Sequence, residues 1–204
     1  LNLILQKQPH MLEWRVDFFE SIADIAAVIS TAKAIKIAAH GVPVLFTRRS
    51  KLEGGERITL NEDQVIDLYA AVCASQQIDL IDYELVNEAA NVTRVREVAH
   101  ATGVKLILSF HDFERTPNQA ELVAKFTAAE KMGADVAKVA VMAKNPDDVL
   151  ALLSATRQAS GQVQIPVVSM SMGSYGSLTR LFGWAYGSAL TFAVGARSSA
   201  PGQI

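Results

Sequence analysis

The chain has 204 residues, half of them hydrophobic, with 20% charged residues, 7% aromatic residues and one cysteine. Nineteen basic and 21 acidic side chains give a net charge of −2, so there is no basic footprint for nucleic acid or an anionic membrane. The apolar content excludes intrinsic disorder and collagen-like or coiled-coil architectures, and no shift in composition marks a boundary, so a single domain over residues 1–204 is expected.

Short apolar runs alternate with helical patterns. The runs that read as strands fall at residues 11–16, 44–47, 80–85, 106–109, 136–141, 167–171 and 189–194. Asn61 and Gln64 form a capping-box pair ahead of a stripe of Val65, Leu68, Tyr69, Val72 and Cys73. Thr116 with Pro117 reads as an N-cap and first helical residue, with Gly133 closing that helix. Asn145 and Pro146 start another, with Val149, Leu152, Leu153 and Thr156 on its apolar face and Gly161 at its end.

Such alternation implies a parallel sheet, either doubly wound or closed into a barrel. No strand runs into a Gly-x-Gly-x-x-Gly turn, which argues against the dinucleotide-binding version. Charges at alternating strand positions, as in Glu13, Arg15 and Asp17 or Asp82 and Glu84, share one face by the two-residue period. Under helices they would be costly, whereas in the mouth of a (β/α)8 TIM-type barrel they line a polar site. A complete barrel takes about 250 residues, and at roughly 30 per unit this chain holds about seven.

The opening Leu1–Leu5 lacks the basic region of a signal peptide, and the uncharged stretch 181–196 is short and glycine-diluted for a membrane span. A soluble, cytoplasmic protein is expected, and the lone Cys73 suits a reducing compartment.

Lys138 lies in an otherwise apolar strand, Asp135–Met142. Desolvation disfavours a buried ammonium, leaving an amine able to attack a carbonyl and form a Schiff base. The alternative is a packed stem whose head pairs with Glu84 or Glu13. His111, in the segment 108–113 at a strand's carboxyl end, is a candidate general acid and base, or else a loop histidine that bonds Asp112 or caps the next helix. His10, His40 and His100 read as structural, and no metal-ligand spacing occurs. The stretch 46–56 sets Arg48 and Arg49 after a strand, suited to an anion, with two glycines for a tight turn; a solvated charge cluster is the alternative. The small-residue segment 198–204 is either a lid or a plain tail.

Taken together, Glu13–Asp17, Phe46–Ser50 with Glu53–Glu56, Asp82–Leu85, Ser109–Phe113, Lys138–Met142, Ser169–Gly173, Thr179–Leu181 and Ser199–Gln203 resemble type I 3-dehydroquinate dehydratase, in family order. The resemblance implies a shikimate-pathway lyase that needs no cofactor or metal and works as a homodimer on the small molecule 3-dehydroquinate. It implies that Lys138 forms an imine with the substrate ketone, that His111 moves the protons and that Glu53 orients His111. Arg180 matches the residue that grips the substrate carboxylate. Glu13, Arg15 and Arg49 match the group around the ring hydroxyls, with Trp14 carried among them; Arg48 beside Arg49 is the rival guanidinium, and Arg49 is preferred. Ser199 and Gln203 match a closing loop, and Met170 and Met172 an apolar wall. Thr179, Ala137 and Ala143 depart from the pattern without removing a catalytic atom. The resemblance further implies a barrel lacking its first strand and last helix in this chain. A non-catalytic ligand-binding module on the same frame, or another Schiff-base lyase or aldolase, are the alternative functions.

Overall fold

The elements of a computed structural model of the chain, which describes residues 1–195 and 201, follow a strict β/α alternation. After a short α1 (Asn2–Leu5), the order is β1 (Leu12–Arg15), α2 (Ile25–Ala38), β2 (Val44–Thr47), α3 (Glu62–Ala74), β3 (Leu80–Glu84) and α4 (Ala89–Thr102). It continues with β4 (Lys105–Asp112), α5 (Gln119–Lys131), β5 (Val136–Met142), α6 (Pro146–Ser160), β6 (Val167–Met172) and α7 (Gly176–Phe182). The chain divides into two compact units, Leu1–Ile107 and Leu108–Ile204.

In the first unit the strands lie in the order β1-β2-β3. β1 pairs with β2 and β2 with β3 in parallel, with Arg15 opposite Thr47 and Thr47 opposite Asp82. Every residue of β2 is buried, as expected of a parallel strand covered on both faces. α3 starts at the expected capping box, Asn61 accepting from the Gln64 N–H at 2.9 Å and Gln64 from the Asn61 N–H at 3.0 Å. Its stripe from Val65 to Cys73 is fully buried.

The second unit carries the order β4-β5-β6, with β5 and β6 parallel and Lys138 opposite Val168, Ala140 opposite Met170 and Met142 opposite Met172. α6 begins at Asn145 and Pro146 as its sequence predicts, and Val149, Leu152, Leu153 and Thr156 are all buried. α5 begins later than predicted. Asn118, not Thr116, is its N-cap, because Asn118 and Glu121 make a reciprocal capping box while the Thr116 hydroxyl donates to the Met142 carbonyl at 2.8 Å.

The predicted strand at 189–194 does not form. Among the described residues a single isolated parallel bridge, Val167 to Ser188, is made, extended by the Ala189 N–H on the Val167 carbonyl. Beyond it the carbonyls of Leu190 and Phe192 accept from the side chains of Ser188 and Arg180, so they are withdrawn from any ladder. Leu190 and Phe192 pack instead on Ala140, Val168 and Met170. Among the described residues no helix is long and apolar enough to cross a membrane. Ser199 and Gln203 lie outside the described residues.

Candidate active site

In the first unit the predicted polar residues converge where β1, β2 and β3 end. The two-residue period puts Asp82 and Glu84 on one side of β3, and the Arg49 guanidinium lies between them. Arg49 Nη2 reaches Asp82 at 2.7 Å, while Nη1 reaches Glu84 at 3.2 Å and Glu53 at 3.5 Å. Arg49, Glu53, Asp82 and Glu84 are each at most 3% exposed, so these charges interact with little screening by water. Burial alone would lower the Arg49 pKa, but the three carboxylates outweigh it and hold the guanidinium charged. The neighbouring Arg48 points elsewhere, toward Glu62 of α3 at 3.6 Å.

The turn that carries Glu53 is built by local chemistry. Ser50 caps a 3-10 turn over Lys51–Glu53, its side chain accepting from the Glu53 N–H, and its own N–H donates to Glu84 at 2.6 Å. Gly54 follows with φ +81°, the left-handed region that glycine occupies without penalty. Gly55 is required for a different reason: a Cβ there would stand 2.0 Å from the Arg49 carbonyl oxygen.

Along β1, Glu13 accepts from the Thr47 hydroxyl at 2.9 Å, and Arg15 forms a two-armed pair with Asp17 at 2.7 Å on each arm. The Arg15 guanidinium also lies over the Phe18 ring, 5.0 Å from its centroid. Trp14 points to the opposite side, packed edge-on against Phe19 and Phe46 at 5.7 and 5.5 Å. Behind the site, the Tyr69 hydroxyl donates to the Asp82 carbonyl at 2.6 Å and accepts from the Arg48 N–H at 3.2 Å. Burial raises the Tyr69 pKa, so that hydroxyl keeps its proton.

In the second unit Lys138 is buried on β5, and its Nζ lies 4.3 Å from the centroid of the Phe192 ring. Arg180, buried on α7, donates through Nη1 to the Phe192 carbonyl at 3.0 Å and contacts the Met170 sulfur at 3.5 Å. Burial lowers the Arg180 pKa. Met170 packs with Ala140, Val168 and Phe192, and Met172 is buried at the end of β6. Lys138, Met170 and Arg180 are thus gathered around one residue, Phe192. Sequence reading missed Phe192 because it took the segment as a strand. His111 is half-buried near the end of β4, its ring stacked with Phe113 at 6.4 Å between centroids. The neighbouring Asp112 accepts from the N–H groups of Glu114 and Arg115, both at 2.9 Å.

A run of parallel β/α units with ionisable side chains at the ends of its strands defines a parallel α/β protein with its polar site at the strand ends. All 204 residues match the family model for type I 3-dehydroquinase. The 3-dehydroquinate dehydratase of Albidiferax ferrireducens is 65% identical over 204 residues, which is all of this chain and 77% of that protein. The crystal structure of 3-dehydroquinate dehydratase from Geobacillus kaustophilus superposes with a TM-score of 0.97 at 49% identity, over 99% of this chain and 78% of that one. That of the Clostridium difficile type I enzyme with covalently modified comenic acid does so with a TM-score of 0.91 at 40% identity, over 95% and 76%. The chain belongs to the type I 3-dehydroquinase family.

Proposed function

We propose that this chain dehydrates 3-dehydroquinate to 3-dehydroshikimate through a Schiff base on Lys138, with His111 as the general acid and base. The observation that carries the reading is the setting of Lys138, buried on an otherwise apolar strand with its Nζ over the Phe192 ring, which itself packs on Met170. The Lys138 amine adds to the substrate ketone and expels water, giving a protonated imine. That cation draws electrons from the adjacent carbon, so His111 can take its proton and leave an enamine. The enamine electrons return and expel the neighbouring hydroxyl, which His111 protonates to water. Hydrolysis of the imine then frees the product and restores the amine.

Glu53 orients His111, following the logic of a base held by a carboxylate. Arg180 binds the substrate carboxylate, its guanidinium already anchored on the Phe192 carbonyl. Glu13 and Arg15 bind the ring hydroxyls, and Met170 and Met172 complete the walls, whereas Trp14, expected among them from the sequence, is packed on the other side of β1 against Phe19 and Phe46. Arg49 belongs to the same polar group and, at 3.5 Å, fixes the Glu53 carboxylate. We read residues 1–204 as one domain of a (β/α)8-type barrel, working as a homodimer in the cytoplasm without a cofactor. The covalently modified ligand of the Clostridium difficile relative supports a site built to carry an adduct.

Borohydride added during turnover reduces the imine and fixes the ligand mass on Lys138. Absence of that mass, or its persistence in Lys138→Met, overturns the mechanism. Ligand binding without the enone absorbance of the product favours a non-catalytic module instead.

A further inference from the structure

Asp17 follows β1 in the 3-10 turn Val16–Phe18 and is 5% exposed. Its Oδ1 accepts from Arg15 Nε at 2.7 Å and from the Arg49 N–H at 3.3 Å. Its Oδ2 accepts from Arg15 Nη2 at 2.7 Å and from the Glu56 N–H at 3.1 Å. One carboxylate therefore joins the last side chain of β1 to both ends of the segment 49–56, which carries Glu53. The fork uses Nε and Nη2 of Arg15 and leaves Nη1 to reach a ligand. Four donors converge on two oxygens, a demand only an ionised carboxylate meets. Asparagine in its place offers one acceptor oxygen and sets its NH2 against N–H groups.

We propose that Asp17 is a positioning residue for the dehydration, holding the Arg15 guanidinium and the Glu53-bearing segment 49–56 in register with each other. The inference rests on the reading that Arg15 binds a ring hydroxyl and Glu53 orients His111. It adds that neither arrangement is set by its own residue: both hang on a side chain that touches no substrate.

The test compares Asp17→Asn with Arg15→Met, Glu53→Gln and the Arg15→Met/Asp17→Asn double variant, in steady-state kinetics and thermal melts. In Asp17→Asn, KM rises about tenfold through Arg15 and kcat falls about tenfold through Glu53, the scale on which small displacements of positioning groups act. In the double variant KM is no higher than in Arg15→Met alone, because the two changes remove the same contact. A lower melting temperature with wild-type kcat and KM would mean a purely structural role and overturns the proposal, as does a multiplicative KM in the double variant. If Arg15→Met and Glu53→Gln are themselves silent, the site reading fails; if they are impaired and Asp17→Asn is not, only the role of Asp17 fails. Should Asp17→Asn not fold, Arg15→Lys decides. It keeps the charge but cannot bridge both oxygens, so its KM matches that of Arg15→Met, and a wild-type KM overturns the proposal.

Discussion

Lys138 Nζ lies over the face of the Phe192 ring, 4.3 Å from its centroid, while the carbonyl of Phe192 receives the Arg180 guanidinium at 3.0 Å. One residue thus offers its ring to the proposed nucleophile and its main chain to the proposed carboxylate anchor. An aromatic face favours a cation by about 0.5–2 kcal/mol, and the protonated imine is a cation. Replacing Phe192 with Leu keeps apolar bulk and the main-chain carbonyl but removes the ring. The expected result is a loss of about 3- to 30-fold in kcat, with KM nearly unchanged. Steady-state kinetics together with the rate of borohydride trapping check this. A Phe192→Leu enzyme turning over at the wild-type rate shows that the ring is only packing.

The adjacent glycines of the Glu53 turn should respond differently to the same added methyl. At Gly54 the cost is the left-handed backbone, about 1 kcal/mol for alanine, so Gly54→Ala lowers the melting temperature by a few degrees and keeps most activity. At Gly55 the new Cβ would sit 2.0 Å from the Arg49 carbonyl oxygen, and main chain cannot swing aside as a side chain can. Relief requires breaking the Gly55 N–H bond to the Ser50 carbonyl, which shifts Glu53. Gly55→Ala is therefore expected to lose at least about 100-fold in kcat, as misplaced catalytic groups do. Equal effects of the two substitutions in kinetics and melting would contradict this account.

Arg49 is a cation among three buried carboxylates, so its removal takes one shared ion-pair partner from Glu53, Asp82 and Glu84, which lie away from water. Breaking a buried ion pair from one side costs about 3–5 kcal/mol. At about 2–4 °C per kcal/mol for a chain of this size, Arg49→Met should melt about 6–20 °C lower. Arg49→Lys should fall between, since one ammonium cannot meet Asp82 and Glu84 as the planar fork does. Urea midpoints measured at neutral pH provide the check, and a Met variant as stable as the wild type would show that the cluster relaxes without its cation.

Much of this was legible in the sequence because it depends on local signals. The capping boxes, the buried stripe of α3 and the alternating acids of β3 are written in spacings of two to four residues, and the ends of β2 fall where the apolar run ends. What was not legible depends on partners far apart in the chain. The segment after Ser188 has a strand-like composition, yet Arg180 takes its Phe192 carbonyl and the strand is not made. The start of α5 turned on a competition between two good caps, Thr116 and Asn118, decided when the Met142 carbonyl drew the Thr116 hydroxyl away. That Arg49 meets β3 while Arg48 meets α3 is likewise a matter of contacts that no spacing along the chain records.

The convergence of donors on Asp17 also makes an acid-stability signature. Burial by itself raises a carboxyl pKa, but the Arg15 hydrogen bonds and charge, with the N–H groups of Glu56 and Arg49, outweigh it and hold Asp17 below the usual carboxylate range. A folded-state pKa below the unfolded value of about 3.9 means that the folded state favours the ionised form. The resulting stability is fully present above that unfolded value and is lost as the pH falls through the folded one. Urea titrations of the wild type and Asp17→Asn from pH 6 down to pH 3 separate this contribution from that of the other carboxylates. The wild-type lead in midpoint is constant from pH 6 to about pH 5 and narrows below about pH 4 as Asp17 takes up its proton. A lead that stays the same down to pH 3 would mean that the Asp17 carboxylate owes its stability to shape rather than to charge.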